Sequence, residues 1–324
     1  MANIAPDSDT DSAYGDSFFS DTTSLSSSVL EYQYENGRRY HSFKAGKYFA
    51  PNDELEQERM DLVHHVQSMV LGGELHKAPV QNPRRILDLG TGTGIWAIDI
   101  ADKFPEAQVI ATDLSPIQPT WIPPNLQFLV DDAEADWTFD EPFDWIHIRN
   151  MGGSIADWPA LFRKCLDNLK PGGWIEIGDF EVWGSTDDDT LPVDSAYNRW
   201  QHSLNEAGEK IGRIMNIIPQ VKRLVTEAGF ENIKEDVYKI PLSPWPKDKR
   251  LKELGRYANM LITEALQAYS LALFTRVLGW DQAEVEVLLT GVRGDLRNLS
   301  FHLYSPMKGW ESVAHGAQKF SIKD

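Results

Sequence analysis

Arg85-Ile86-Leu87-Asp88-Leu89-Gly90-Thr91-Gly92-Thr93-Gly94-Ile95-Trp96 is the stretch whose reading decides the fold. Its first five residues read as a buried strand, three glycines follow at alternate positions, and a helical pattern opens at Ile95 and closes at Pro105. Glycine at that junction lets the backbone turn tightly and lets a ligand approach the helix N-terminus. Gln108-Val109-Ile110-Ala111-Thr112 reads as the next strand, so 85–112 is one βαβ unit. Further strands are predicted over 126–130, 143–148 and 173–180, with a helix over 158–169 between the last two. The expected core is an α/β fold, a mostly parallel sheet with helices on both faces.

Outward from that core the chain changes character. Residues 1–30 are rich in Ser and Asp and too poor in apolar groups to offset ordering entropy, which predicts a disordered acidic tail. Residues 31–51 interleave Tyr32, Tyr34, Tyr40, Phe43, Tyr48 and Phe49 with Arg38, Arg39, His41, Lys44 and Lys47, a composition suited to docking. Asn52 or Asp53 can cap a helix over 55–70 that stops at Gly72-Gly73, so 31–78 reads as a lid segment and helix. Beyond 79 the main domain continues to 324, with helices at 194–208 and 220–228 and a strand at 233–240. Pro241, Pro244 and Pro246 mark a break before a helical cap at about 247–298, and a final strand is expected near 301–304.

Composition sets limits on function. No run approaches the roughly 18 apolar residues of a membrane helix, and the first ten residues carry neither the basic nor the apolar region of a secretory signal. One cysteine, Cys165, allows no internal disulfide and fits a reducing compartment, the cytoplasm or the nucleus. A net charge of −18 disfavours direct contact with a phosphate backbone. Residues with metal-ligand spacing and a G-x-S-x-G nucleophile elbow are both missing from the sequence, so neither a metal nor a covalent mechanism is expected.

The loop itself carries the chemistry. A dinucleotide loop sets its third glycine one residue later than Gly94, and Asp88 would repel a pyrophosphate. An acid there tolerates a ligand with an ammonium and a sulfonium, the charges of S-adenosyl-L-methionine. Asp113 ends the second strand nineteen residues past Gly94, close to the roughly 20 expected for a carboxylate that accepts both ribose hydroxyls. After the third strand, Asp132 and Ala133 offer a side-chain oxygen and a backbone N–H to an adenine edge; a solvated acidic loop is the plainer alternative. Arg149 ends the fourth strand, at the sheet edge where ligands bind, and its guanidinium suits a carboxylate.

These residues resemble the motif series of class I S-adenosylmethionine-dependent methyltransferases. Across most of the chain, Gly37-Arg38-Arg39-Tyr40-His41, Tyr48-Phe49-Ala50-Pro51-Asn52-Asp53, 86–100, 112–119, 131–137, 143–149, 153–161, 170–176 and 269–280 resemble the fungal LaeA-like group. That group includes a global regulator of secondary metabolism and many methyltransferases found beside biosynthetic genes. The resemblance implies a Rossmann-like seven-stranded sheet with a reversed final strand. It also implies S-adenosyl-L-methionine as cofactor, held by Asp88, Gly90, Thr91, Gly92, Gly94, Asp113, Leu114, Asp132, Ala133 and Arg149.

Methyl transfer is an in-line displacement in which the enzyme aligns the nucleophile, excludes water and, for a weakly acidic acceptor, removes a proton. His41, His147 and His202 are the candidate bases, although His147, mid-strand on the face shared by Trp145 and Arg149, also reads as a buried core histidine. Tyr40, Tyr48 and Trp96 are candidate cofactor walls. The acceptor expected under the cap is an O or N atom of a small molecule. The competing expectation is a regulator that works through a nuclear protein partner.

Overall fold

The computed structural model describes residues 32–181 and 183–314; the expected tail at 1–30 lies outside them. In chain order the elements are β1 (Gln33–Glu35), β2 (Arg38–Tyr40), α1 (Glu54–Leu71), β3 (Arg85–Leu89), α2 (Ile95–Lys103), β4 (Gln108–Asp113), β5 (Leu126–Val130), β6 (Phe143–Arg149), α3 (Trp158–Asp167), β7 (Leu169–Phe180), α4 (Ala196–Lys210), α5 (Ile218–Ala228), β8 (Phe230–Pro241), α6 (Lys249–Arg276), α7 (Gln282–Arg297) and β9 (Tyr304–Ala314). β1 and β2 form an isolated antiparallel hairpin.

The other strands form one sheet in the order β5-β4-β3-β6-β7-β9-β8. β9 runs antiparallel to both its neighbours, while β5, β4, β3, β6 and β7 are mutually parallel. The chain moves outward from β3 to β5 and then returns to the other side of β3 as β6. That reversal opens a crevice beyond the carboxyl ends of β3 and β6, where open α/β sheets bind ligands.

The final strand corrects the sequence reading. Residues 301–303 turn back on α7, Phe301 N donating to Asn298 O, and the strand begins at Tyr304. Pro306 and Gly309 interrupt the apolar alternation of this segment and hide its strand character, yet it hydrogen-bonds to both β7 and β8. β7 also starts four residues earlier than expected, at Leu169.

Local signals explain the helix limits. Asp53 caps α1 by accepting from Glu56 N, and Gly72 ends it in the left-handed conformation. The helical cap is two helices: Asp281 and Glu284 form a capping box that opens α7 after the break that follows Arg276. Leu87, Ile146 and Ile175 face Phe162 and Val221 of α3 and α5, whereas Ile86 and Trp145 face Trp96 and Ile100 of α2. A third core joins Val66 of α1, Trp200 of α4, Leu266 and Phe274 of α6 and Leu289 of α7. The cap therefore packs on α1 and α4 beside the sheet's ligand-binding edge.

Candidate active site

The β3–α2 loop is shaped by what its glycines exclude. Gly90 has φ +69°, and a Cβ there would sit 2.1 Å from Met151 Sδ, an impossible contact. At Gly94, φ +82°, a Cβ would likewise sit 2.3 Å from the Phe128 ring. Gly90 N and Thr91 N donate to Thr112 O at 2.9 and 3.0 Å, which ties the loop to β4. Gly92 N and Ser115 N donate to Asp113 Oδ2 and Oδ1 at 2.8 and 2.9 Å. Burial lifts the Asp113 carboxyl to about 6 even though these backbone donors favour its charged form.

One cavity of about 230 Å³ runs from this loop to the cap. Gly90, Thr91, Gly92, Asp113, Leu114, Asp132, Ala133 and Arg149 border it. Gly94, which is packed against Phe128, does not. Asp88 does not either: its Oδ1 is 2.7 Å from His147 Nδ1, and both are buried on the face toward Trp96. The expectation that Asp88 would meet the ligand's cationic groups is thus corrected, since strand alternation turns its side chain away from the crevice.

The three histidines fall outside the cavity lining, which corrects their candidacy as bases. His147 is stacked on Trp96, with centroids 3.5 Å apart and planes 9° apart. His41 is buried beside Tyr48 in the N-terminal segment, and His202 is exposed on α4, its Nδ1 at 2.7 Å from Asn198 O. Of the aromatic walls, Tyr48 borders the cavity; Tyr40 packs beneath Arg276, and Trp96 borders a separate chamber of about 50 Å³.

The electrostatics differ along the cavity. At one end Asp132 Oδ2 accepts from Lys44 Nζ at 2.9 Å and Lys47 Nζ at 2.5 Å. Burial alone would raise the Asp132 carboxyl, but Lys47 and Lys44 outweigh it and hold it at about 2. Farther along, Arg149 donates to Gln67 Oε1 at 3.0 Å and to His64 Nδ1 at 3.1 Å, and His64 Nε2 lies 3.1 Å from Asp99. Burial lowers Arg149 to about 10, and burial with the adjacent guanidinium lowers His64 to about 4, so His64 is neutral and can accept.

At the cap end the walls are Trp200, Leu204, Leu242, Leu261 and Ala265, with few polar groups. Arg59 reaches this wall but is paired two-pronged with Glu56, at 2.8 and 2.6 Å, and lies 5.0 Å over the Tyr269 ring. Asp179, Tyr269 and the Glu56–Arg59 pair were not read from the sequence. Asp179 had a signal, an acid near the carboxyl end of a parallel strand; the others depend on how α1 and α6 meet.

A family model described as a methyltransferase domain matches residues 56–235. The methyltransferase pytC of Aspergillus terreus is 48% identical over 301 residues, covering 92% of this chain and 90% of that protein. This chain belongs to the methyltransferase-domain family. The secondary metabolism regulator LAE1 of Cochliobolus heterostrophus is 43% identical, covering 85% of this chain and 92% of that protein. The protein-methionine methyltransferase laeA of Emericella nidulans is 36% identical, covering 85% and 74%.

The methyltransferase uses S-adenosyl-L-methionine, and its residues fit that cofactor. Thr91 Oγ1 borders the cavity, buried and without a hydrogen-bond partner. Gly90 and Gly92 leave space that a side chain would fill against Met151 and Met60. Among the described residues no His, Cys, Asp and Glu group could hold a metal ion, and no helix is long and apolar enough to cross a membrane.

Proposed function

We propose that the methyltransferase acts on an O or N atom of a small, largely apolar secondary metabolite bound beneath the cap. S-adenosyl-L-methionine supplies a methyl group on a cationic sulfur. The observation that carries the reading is the single cavity: its sheet end has the glycine loop and Asp113, and its cap end is walled by Trp200, Leu204, Leu261 and Ala265. A cofactor at one end and an apolar acceptor at the other would share a water-poor space, as an in-line transfer requires.

In this reading Asp113 accepts hydrogen bonds from the ribose hydroxyls, the unpartnered Thr91 hydroxyl and the space over Gly90 and Gly92 receive the amino-acid portion, and Arg149 attracts its carboxylate. Residues 38–52 act as a lid held by Lys44 and Lys47 on Asp132. Asp132 and Ala133 read the adenine edge, so Asp132 serves the lid and the ligand together.

A second reading is a regulator that methylates protein, or works through a protein partner in the nucleus. It is favoured by the similarity over most of the chain to the secondary metabolism regulator LAE1 and to the protein-methionine methyltransferase laeA. Incubation with methyl-labelled S-adenosyl-L-methionine and a fungal metabolite extract, followed by mass spectrometry of the small-molecule and protein fractions, separates the two. Label in a discrete small molecule supports the first reading, and label confined to protein supports the second.

A further inference from the structure

The carboxylates that border the cavity differ in what they face. Asp132 and Glu134 are paired with Lys44, Lys47 and Arg213, and Asp113 is wrapped by the backbone of the glycine loop and Ser115. Asp179 stands elsewhere. It lies at the carboxyl end of β7, where Gly178 is in register with Arg149 of β6, and no basic side chain pairs with it among the described residues. Its Oδ2 accepts from Gly152 N at 2.9 Å and its Oδ1 from Phe180 N at 2.8 Å.

These contacts place Asp179 between the two ends of the cavity. Gly152 follows Met151, whose sulfur covers Gly90 of the cofactor loop. On the other side the carboxylate acts electrostatically on Tyr269 of α6, beyond which lie Arg59, Glu56 and Tyr48. Glu181, two residues along, also borders the cavity. Gly152, Phe180 and Met151 offer the carboxylate three backbone N–H groups, which leaves one of its roughly four lone-pair sites for an acceptor's proton.

We propose that Asp179 takes the acceptor's proton during methyl transfer. The acceptor's O–H or N–H bond breaks and its proton passes to an Asp179 carboxylate oxygen. The electron pair left on the acceptor bonds to the methyl carbon, while the cofactor sulfur keeps the pair of the broken S–CH3 bond. Burial lifts the Asp179 carboxyl to about 7, which suits a base that must gain and lose a proton near neutrality. The inference rests on the cofactor reading above and adds the residue that reading lacks.

The test uses the full chain, S-adenosyl-L-methionine and S-adenosyl-L-homocysteine. The two ligands share ribose, adenine and amino-acid portions and differ by one methyl group and the positive charge on sulfur, so contacts to Asp113 are the same with both, and the Asp113→Asn variant removes that carboxyl's own response to the charge. Calorimetric titration at pH 7 in buffers of different ionisation enthalpy counts the protons released. With the Asp179 carboxyl near 7, the charged ligand should release up to about half a proton more than the neutral one. The excess should vanish in Asp179→Asn and persist in Asp113→Asn. Equal release by both ligands in the wild-type protein, which needs no variant to fold, overturns the inference and leaves the cofactor reading intact. An excess that survives Asp179→Asn overturns it as well. Binding of neither ligand overturns the cofactor reading and the inference together.

Discussion

Lys47 Nζ lies 2.5 Å from Asp132 Oδ2, joining the N-terminal segment to the turn after β5 across 85 positions of sequence. Lys44 binds the same oxygen at 2.9 Å. Both lysines are more than a third exposed, so solvent screens the pairs and their share of global stability is small. Their effect should appear in ligand binding. The double variant Lys44→Ala, Lys47→Ala is expected to shift the melting temperature by only about 1–3 °C, while S-adenosyl-L-methionine dissociates several-fold faster because the segment over the cavity is untied. Stopped-flow release and thermal melting check this pair of outcomes; an unchanged release rate contradicts the lid role.

Asp113 is the strongest cofactor candidate, because it borders the cavity and is positioned by two backbone donors. Asp113→Ala should weaken S-adenosyl-L-methionine binding by about 1.5–3 kcal/mol through loss of charge-assisted hydrogen bonds. Equilibrium titration of folded variant and wild type measures it. Equal affinities would remove Asp113 from the site.

Glu176 gives a pH prediction. Its carboxylate accepts from Lys77 N and Ala78 N at 2.8 and 3.0 Å, yet burial raises it from 4.5 to about 7. An acid raised in the folded state binds more protons folded than unfolded between those two values, so its contribution to stability falls as pH rises through them. Buried histidines such as His64, lowered to about 4, act in the opposite sense, so the comparison must be between variant and wild type. Relative to wild type, Glu176→Gln should gain about 2 kcal/mol between pH 4.5 and 7, on top of any pH-independent cost of the amide. Urea unfolding at a series of pH values measures the difference, and a flat one would show that Glu176 is ionised as readily in the folded protein as in the unfolded chain.

The sheet was legible because strand and helix periodicities alternate cleanly from Arg85 to Phe180, with Gly and Pro at the joints. β9 was obscured because Pro306 and Gly309 break its pattern and its partners are distant in sequence. The cavity's loop residues were legible from spacing alone. Asp88 was misread because the pattern D-x-G-x-G-x-G does not say which way a strand residue points, and alternation across β3 aims it at His147. The histidines drew attention as a residue type, but they pack against Trp96, Tyr48 and Trp183, which no local pattern reveals. The acceptor end is the least legible, since Ala265, Trp200 and Asp179 meet only after three distant segments pack.

The central claim is that one cavity holds the cofactor and a small-molecule acceptor, and Ala265 lies in its apolar wall. The most direct measurement is transfer of methyl label from S-adenosyl-L-methionine to small molecules of a fungal extract by wild type and by Ala265→Leu, with cofactor affinity measured in parallel. The account predicts label in a discrete small molecule with the wild type, transfer reduced about tenfold or more by the added side chain, and cofactor affinity unchanged within about twofold. Undiminished transfer by Ala265→Leu, or label found in protein alone, would contradict it.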